Sequence, residues 1–281
     1  MNSTTPSADR AILCMSSSAP DPGAVHFAEQ IIHAFGMQLI LLYTPRDTTE
    51  LTEGHRSLET TRQLLQAEPD GLIEIRGDLE SVLAEELDPG AHELVILGTS
   101  AEGFDRRTAM MSRRLANRIG DSVLIIQQPP KAIQRILVCT GGHPASNIVI
   151  ERGLQLGKAL DAEVTILHVT TSMPTMYTGL PAVEEGLQQI LSRDTPLAGH
   201  LRAAAKKAEE NGVKAKLELR HGVVAEEILR ACEMEDFHLL VIGSPEPRRV
   251  FDVLALGRIG PQLLTSVKIP LMIARIEPKE R

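Results

Sequence analysis

Aromatic side chains and excess positive charge are both scarce in this sequence. Its 281 residues include no Trp, two Tyr and five Phe, which leaves few rings on which bases or sugars could stack. Lys and Arg number 29 against 37 Asp and Glu, for a net charge of −8. A nucleic-acid binder normally carries a basic surface that neutralises phosphates. We therefore expect no nucleic-acid partner.

We also expect no leader segment, and the sequence contains neither a long apolar run nor a CxxC cysteine pair. The N-terminal sequence MNSTTPSADR has no basic segment followed by an apolar one. No apolar run approaches the roughly 18–20 residues that a membrane-spanning helix needs. The three cysteines, Cys14, Cys139 and Cys232, have no CxxC spacing. We therefore predict a cytoplasmic protein with reduced thiols and no membrane partner.

Common enzyme motifs are absent too. The sequence contains no GxxxxGK[ST], GxGxxG, GxSxG or HExxH pattern. These patterns mark P-loop NTPases, dinucleotide-dependent dehydrogenases, α/β-hydrolases and zinc proteases respectively. We predict that the protein is not an enzyme, and we assign no catalytic residue.

What the sequence does have is an aliphatic core and an internal repeat. Hydrophobic residues make up 43% of the chain. Two segments are alike, ADRAILCMSSSAPDP and IQRILVCTGGHP, with Cys14 aligned to Cys139. Further on, HELVILGTS matches FHLLVIGSP. The repeat predicts two domains, residues 1–130 and 131–281, joined at the segment QPPK.

Each copy alternates short apolar segments with amphipathic ones. In the first copy the apolar segments cover residues 11–15, 38–43, 72–76, 93–97 and 122–126. Their length, and the absence of a polar face, are typical of buried parallel strands. Apolar residues at helical spacing predict helices over residues 24–35, 146–160, 182–211 and 225–235. The third of these helices, 182–211, is expected to be broken near Thr195. The predicted fold class is α/β, with two tandem doubly wound five-stranded parallel sheets.

Small residues follow the first and fourth strands of each copy. In the second copy they are Thr140-Gly141-Gly142 and Gly243-Ser244. In an open parallel sheet, ligands bind beyond the carboxyl ends of the strands, where the strand order reverses. Backbone amides at helix N-termini could hold a phosphate or another anion there. Tight turns favour the same residue types, so a structural role stays open.

These segments give the whole chain a resemblance to a tandem universal stress protein. The resemblance is carried by ILVCTGG, LLVIGS and GRIGPQLLTSVKIPLMIAR in the second copy. It implies an adenine nucleotide alpha hydrolase-like fold in both halves, with the last strands facing each other across a pseudo-twofold axis. It also implies ATP or AMP as the cofactor to consider. In that family, a G-2x-G-9x-G-[S/T] pattern and an acidic residue after the first strand bind the nucleotide.

The second copy departs from that pattern. Gly243 fits the first glycine, but Glu246 stands at the second, where a carboxylate would repel phosphate. Gly257 comes one residue late, and Arg258 replaces the hydroxyl residue that follows it. Thr140 stands at the acidic position. The candidate ligand-binding residues are therefore Thr140, Gly141, Gly142, Gly243, Ser244, Gly257 and Arg258.

The first copy departs further. Gly98 and Gly103 remain, no Gly-Ser or Gly-Thr pair follows, and Ser16 stands at the acidic position. We predict a first copy without nucleotide and a second copy with an impaired site. In the second copy, Arg248 and Arg249 could still attract an anion, although a solvated loop face explains them equally well.

Three histidines and a long insert complete the candidates. His143, His168 and His221 each end or follow a strand of the second copy, near one sheet edge. Converging imidazoles could form a metal-linked sensor, but ordinary structural roles explain each one, and we assign no metal ligand. The insert 170–181, TTSMPTMYTGLP, is consistent with a flap, a partner-contacting loop or a plain connection.

Two functions are consistent with these features of the sequence. The first is a non-enzymatic stress-response protein that acts by binding or as a scaffold, with no cofactor. The alternative is a protein that binds ATP or AMP in its C-terminal domain and hydrolyses ATP slowly. The expected partners are a small nucleotide or anion and a protein that the sequence does not identify. The domains would pair within the chain, and two-fold symmetry makes a further homodimer the natural assembly to test.

Overall fold

A ten-stranded sheet runs through the computed structural model. The residues described are 9–16, 18–45, 47–83, 93–98, 100, 110–112, 114–115, 121–170, 186–244 and 260–275. The candidate residues Gly257 and Arg258, the arginines at 248 and 249, and the insert from 171 onward lie outside these ranges. Within them, no helix is both long and apolar enough to cross a membrane.

The strands are short, as the sequence pattern predicts. They are β1 Arg10–Met15, β2 Gln38–Tyr43, β3 Gly71–Glu74, β4 Leu94–Leu97, β5 Ser122–Ile125, β6 Arg135–Thr140, β7 Glu163–Thr170, β8 Ala215–His221, β9 Leu239–Ser244 and β10 Leu271–Arg275.

Helices connect the strands. In the described ranges they are α1 Pro22–Phe35, α2 Thr48–Leu64, α3 Leu79–Ser81, α4 Asn147–Leu160, α5 Leu187–Leu191, α6 Pro196–Glu210, α7 Val224–Met234 and α8 Gly260–Ser266. A 3₁₀ turn, Pro144–Ser146, precedes α4.

The strand order is β3-β2-β1-β4-β5-β10-β9-β6-β7-β8. Eight of the pairings are parallel, and β5 pairs with β10 antiparallel. Strand order therefore reverses at β1 in the first half and at β6 in the second. The α/β fold with a mainly parallel sheet is confirmed. The sequence predicted two five-stranded sheets, but the described strands form one continuous sheet because the edges of β5 and β10 pair.

Both faces of the sheet are buried, which explains the continuous apolar strands. In β1, Leu13 faces an apolar cluster that includes residues of α1, α4 and α6. Its neighbours Ile12 and Cys14 face the opposite cluster, which includes residues of α7 and α8. Alternate residues of a strand point to opposite faces, so helices on both faces require apolar side chains at every position.

Helix ends follow the signals in the sequence. Asp21 caps α1 by accepting a hydrogen bond from the Ala24 amide at 2.7 Å, and Pro22 occupies the first turn. Thr195 caps α6 by accepting one from the Ala198 amide at 3.2 Å. The predicted break near Thr195 is therefore present, and α6 starts immediately after it. That start determines which side chains α6 presents to the end of β6.

An ion pair joins the two halves beside their first helices, α1 and α4, which pack together. Arg152 of α4 donates to Glu93 at 3.0 Å, and its guanidinium lies 5.3 Å from the centre of the Phe35 ring. We expect Arg152→Ala to lower the free energy of unfolding by about 1 kcal/mol, because it removes a half-buried ion pair and a cation–π contact.

Urea denaturation measures that loss. A double-mutant cycle with Glu93→Ala should give a coupling of about 0.5 kcal/mol. Lys206→Ala is the matched control, because the Lys206–Glu210 pair is exposed and spans one helical turn. A loss no larger than that of Lys206→Ala would contradict a role for Arg152 in holding the halves together.

Candidate functional site

The candidate ligand edge of the second half lies at the carboxyl end of β6, between β7 and β9. Thr140 ends β6 beside His168 of β7. Gly141 and Gly142 follow, and Gly243 lies near the end of β9, where it pairs with β10. The structure therefore places Thr140, Gly141 and Gly142 on one loop. Ser244 is described by its backbone, as the last residue of β9.

The hydroxyl of Thr140 is at the centre of a buried hydrogen-bond network. Its Oγ1 lies 2.7 Å from Nε2 of His200 in α6 and accepts a hydrogen bond from the Gly142 amide at 3.2 Å. Its backbone carbonyl accepts one from Nδ1 of His168 at 3.0 Å. Thr140 is 6% exposed, His168 9% and His200 6%. The residue at the acidic position thus bonds to the chain itself.

Gly142 brings this loop against α6. Its φ of +75° is in the left-handed region, which favours glycine. A Cβ at this position would lie 2.6 Å from Cδ1 of Leu197 and 2.8 Å from Cε1 of His168. The glycine is therefore required by close packing against the first turn of α6, as well as by its backbone conformation.

Other amides of the loop are also hydrogen-bonded within the chain. The Gly141 amide donates to Ser146 Oγ at 3.3 Å, and the Ala145 amide donates to Nδ1 of His143 at 3.2 Å. His143 is thereby the cap of the 3₁₀ turn that precedes α4. An anion cradle needs amides that point at the ligand. At Gly141, Gly142 and Ala145 a partner from the chain already occupies the donor.

Burial lowers the pKa of both His168 and His200, because an imidazolium loses its hydration in the interior. The hydrogen bond from His168 to the Thr140 carbonyl raises the pKa of His168, but less than burial lowers it. Repulsion from His168 and His143 lowers the pKa of His200 further, because a proton on His200 would lie close to any charge on those imidazoles. Both buried imidazoles are therefore neutral at pH 7.

The corresponding edge of the first half is held in a similar way. Ser57 of α2 donates its hydroxyl to the Ser18 carbonyl at 2.9 Å. Tyr43, at the end of β2, donates to the Glu50 carbonyl in α2. An isolated bridge joins Pro20 to Ser100, across the loops that follow β1 and β4. In the first half, then, the second long helix is hydrogen-bonded to the loop after β1, and in the second half to the end of β6.

The histidines that lie together in the structure differ from the predicted group of His143, His168 and His221. His221 pairs with Thr170 two register positions beyond His168, and its Nδ1 lies 2.7 Å from Thr170 Oγ1. The histidine whose pKa is affected by His168 and His143 is instead His200. Among the described residues, no group of three or more His, Cys, Asp or Glu side chains could hold a metal ion.

His200 was missed in the sequence because a lone histidine on a helix carries no motif. One signal was available: Leu197, Leu201 and Ala204 surround it at helical spacing and predict that its face of α6 is buried. A buried polar side chain needs a hydrogen-bond partner, which here is Thr140.

The cysteines belong to the apolar core. Burial raises the pKa of the Cys14 and Cys139 thiols well above the ordinary value. It raises that of Cys232 to about 12. All three are therefore protonated at neutral pH, where a thiol behaves as a small apolar side chain.

Comparison with known proteins identifies both a family and individual relatives. A model of the universal stress protein family matches residues 132–275. The chain is 28% identical over 158 residues to a universal stress protein of Methanocaldococcus jannaschii, covering 56% of this chain and 90% of that protein. It is 26% identical over 114 residues to universal stress protein D of Escherichia coli, covering 40% of this chain and 77% of that protein.

Solved structures are similar over almost the full length. A putative universal stress protein from Pseudomonas aeruginosa covers 96% of this chain, and 94% of its own length is matched, with a TM-score of 0.61 and 15% identity. One from Archaeoglobus fulgidus covers 95%, with 98% of its own length matched, a TM-score of 0.62 and 13% identity. At 15% and 13% identity, this likeness shows that the fold is shared and nothing more.

Proposed function

The chain belongs to the universal stress protein family, and from that membership we propose that it acts by binding, as a ligand sensor or scaffold, rather than by catalysis. The first half is structural in this proposal, and the second half holds any ligand pocket. Nucleotide binding is weak or absent, because the motif that would support it is degraded in both halves.

One observation carries the proposal: the donors and acceptors at the end of β6 bond to the chain itself. Thr140 Oγ1 is engaged by His200 and Gly142. The Gly141 amide is engaged by Ser146. A nucleotide would have to displace these bonds, and Thr140 offers no carboxylate for a ribose hydroxyl in return. The described residues of this edge therefore do not fit ATP or AMP.

We propose that the chain is a tandem pair of such domains, residues 1–130 and 131–281, related by a pseudo-twofold axis. The strand order supports this, because β3-β2-β1-β4-β5 and β8-β7-β6-β9-β10 repeat the same arrangement on either side of the β5–β10 junction. The likeness to full-length structures over about 95% of the chain supports it as well.

Native mass spectrometry of the untagged full chain with millimolar Mg-ATP tests the proposal. We expect the mass of the bare chain, because the amides of Gly141, Gly142 and Ala145 already have partners within the chain and Thr140 carries no carboxylate. Mg-GTP at the same concentration controls for adducts formed during ionisation. We also expect no release of phosphate from ATP over hours.

One specifically bound ATP or AMP per chain would overturn the proposal and favour the nucleotide-binding alternative. Arg258→Glu would then locate the site, because loss of binding would place the phosphates beside the loop after β9. Phosphate release that follows the concentration of the protein would overturn the non-enzymatic part alone.

A further inference from the structure

The first turn of α6 is fastened to the end of β6 by a contact that contains two buried imidazoles. His200 bonds to Thr140 Oγ1, His168 bonds to the Thr140 carbonyl, and Leu197 packs against Gly142. We refer to these five residues, Thr140, Gly142, His168, Leu197 and His200, as the α6 latch. Neutral side chains alone hold this contact together at pH 7.

We propose that the α6 latch is pH-sensitive: proton uptake by His168 and His200 below neutral pH releases the first turn of α6 and opens the sheet edge at the end of β6. The opening frees the Thr140 hydroxyl and the Gly142 amide. The latch does not depend on whether the second half binds a nucleotide.

The tautomer of His168 is fixed by its partner. A carbonyl oxygen can only accept, so Nδ1 of His168 must carry the hydrogen that it donates to Thr140. A second proton must therefore go to Nε2, inside a side chain that is 9% exposed. An added charge at a buried nitrogen is destabilising unless a partner or water compensates for it.

Protonation of His200 is unfavourable for a different reason. Thr140 Oγ1 already accepts a hydrogen bond from the Gly142 amide, and it can accept only one more from a protonated Nε2. The hydrogen bond can therefore survive protonation of His200, but the positive charge remains buried. The charge then repels any charge on His168 and His143.

Among the described residues, no group around the latch provides a compensating negative charge. On His200, the titratable groups that act are His168 from β7 and His143 from the loop after β6. On His168, burial and the Thr140 carbonyl act. Within the described ranges, no carboxylate contributes to the pKa of either histidine. Arg202, on the next turn of α6, donates to the Leu191 and Arg193 carbonyls instead.

The direction of the pH effect follows from these shifts. When the latch is open, both imidazoles are hydrated and have the ordinary pKa of about 6.5. When it is closed, their pKa values are lower. The open state therefore binds more protons than the closed state below about pH 6.5, and acid favours opening. The effect is absent above that pH and stops growing below the closed-state pKa values.

Amide hydrogen exchange of the full chain, read by NMR at Gly142 and Ala198, measures the opening. We expect more opening at pH 5.0 than at pH 7.5, by at most about 30-fold for each histidine because pH 5.0 lies about 1.5 below the open-state pKa, after correction for the intrinsic exchange rate. Equal opening at the two pH values would overturn the proposal.

A double variant, His168→Asn with His200→Gln, separates titration from packing. The Asn amide can donate to the Thr140 carbonyl and the Gln amide can bond to the Thr140 hydroxyl, but neither titrates. We expect the double variant to lose the pH dependence, whereas His26→Gln, which changes an exposed histidine on α1, should keep it. A pH dependence that persists unchanged in the double variant would overturn the proposal.

Titration of the wild-type histidines provides a test that needs no variant. ¹³C-labelled imidazoles of His168 and His200 should titrate below the ordinary pKa of about 6.5, because burial lowers the pKa of both. If both buried histidines titrate at or above 6.5, acid does not open the latch.

Discussion

Gly98→Ala should lower the free energy of unfolding by about 3–4 kcal/mol, since it combines backbone strain with overpacking. Gly98 has a φ of +91°, and a Cβ there would overlap the backbone carbonyl oxygen of Ile126. That carbonyl cannot move away independently, because the Ile126 amide donates to the Leu97 carbonyl at 2.9 Å. Urea denaturation followed by circular dichroism measures the change.

Gly36→Ala separates the two causes. Gly36 ends α1 with a φ of +67°, and a Cβ there would have nothing within 4 Å. This variant should show strain alone, a loss of about 1 kcal/mol. If Gly98→Ala is no more costly than Gly36→Ala, the close approach to Ile126 is not what requires the glycine.

The result bears on the sequence motif. Gly98 is the first-copy counterpart of Gly243, the one glycine of the nucleotide pattern that both copies keep in place. In the structure, Gly98 lies against the backbone that follows β5. The glycine at position 98 thus has a packing explanation, which needs no ligand.

Leu124→Ala is the second large effect we expect, a loss of about 3 kcal/mol from a cavity in the core. Leu124 is fully buried in β5, beside Ile96 of β4 on one side and Met272 of β10 on the other. Because it lies where the two halves of the sheet meet, the loss should weaken both halves. Hydrogen exchange should therefore rise in β1 as well as in β6.

Leu72→Ala is the matched control on the edge strand β3. Leu72 is 52% exposed, so the same truncation there should change the free energy of unfolding by no more than about 0.5 kcal/mol. Exchange that rises in only one half of Leu124→Ala would show that the halves unfold independently, despite the continuous sheet.

The fold was largely predictable because burial on both faces leaves a strong trace in sequence. Short apolar segments such as 38–43 and 122–126 correspond closely to β2 and β5. Helix α2 was not predicted, because its apolar pattern is weak: its buried positions include Ser57 and Thr61 rather than large apolar residues. The resemblance predicted that the last strands of the two halves face each other, and in the structure β5 and β10 do pair. The antiparallel register that joins the two sheets into one depends on backbone geometry and not on a residue pattern.

The site was less predictable, for a physical reason. Small residues after β6 were correctly placed on one loop, but their amides could have pointed either to a ligand or to the chain. That choice depends on Ser146 and His200, which are respectively near and far from the loop in sequence. The spacing of residues along the sequence could not predict the contact between His200 and Thr140, because that contact forms only when α6 packs on the sheet.

The antiparallel pairing of β5 with β10 within one chain determines how the junction between the halves responds to dilution of the protein. Two separate chains that met through such strands would come apart as their concentration fell. Here the strands are tethered in one polypeptide, so each encounters the other at an effective concentration that is commonly of millimolar order for short linkers. The junction is therefore insensitive to the abundance of the protein, and each half can change in sequence while its partner stays the same.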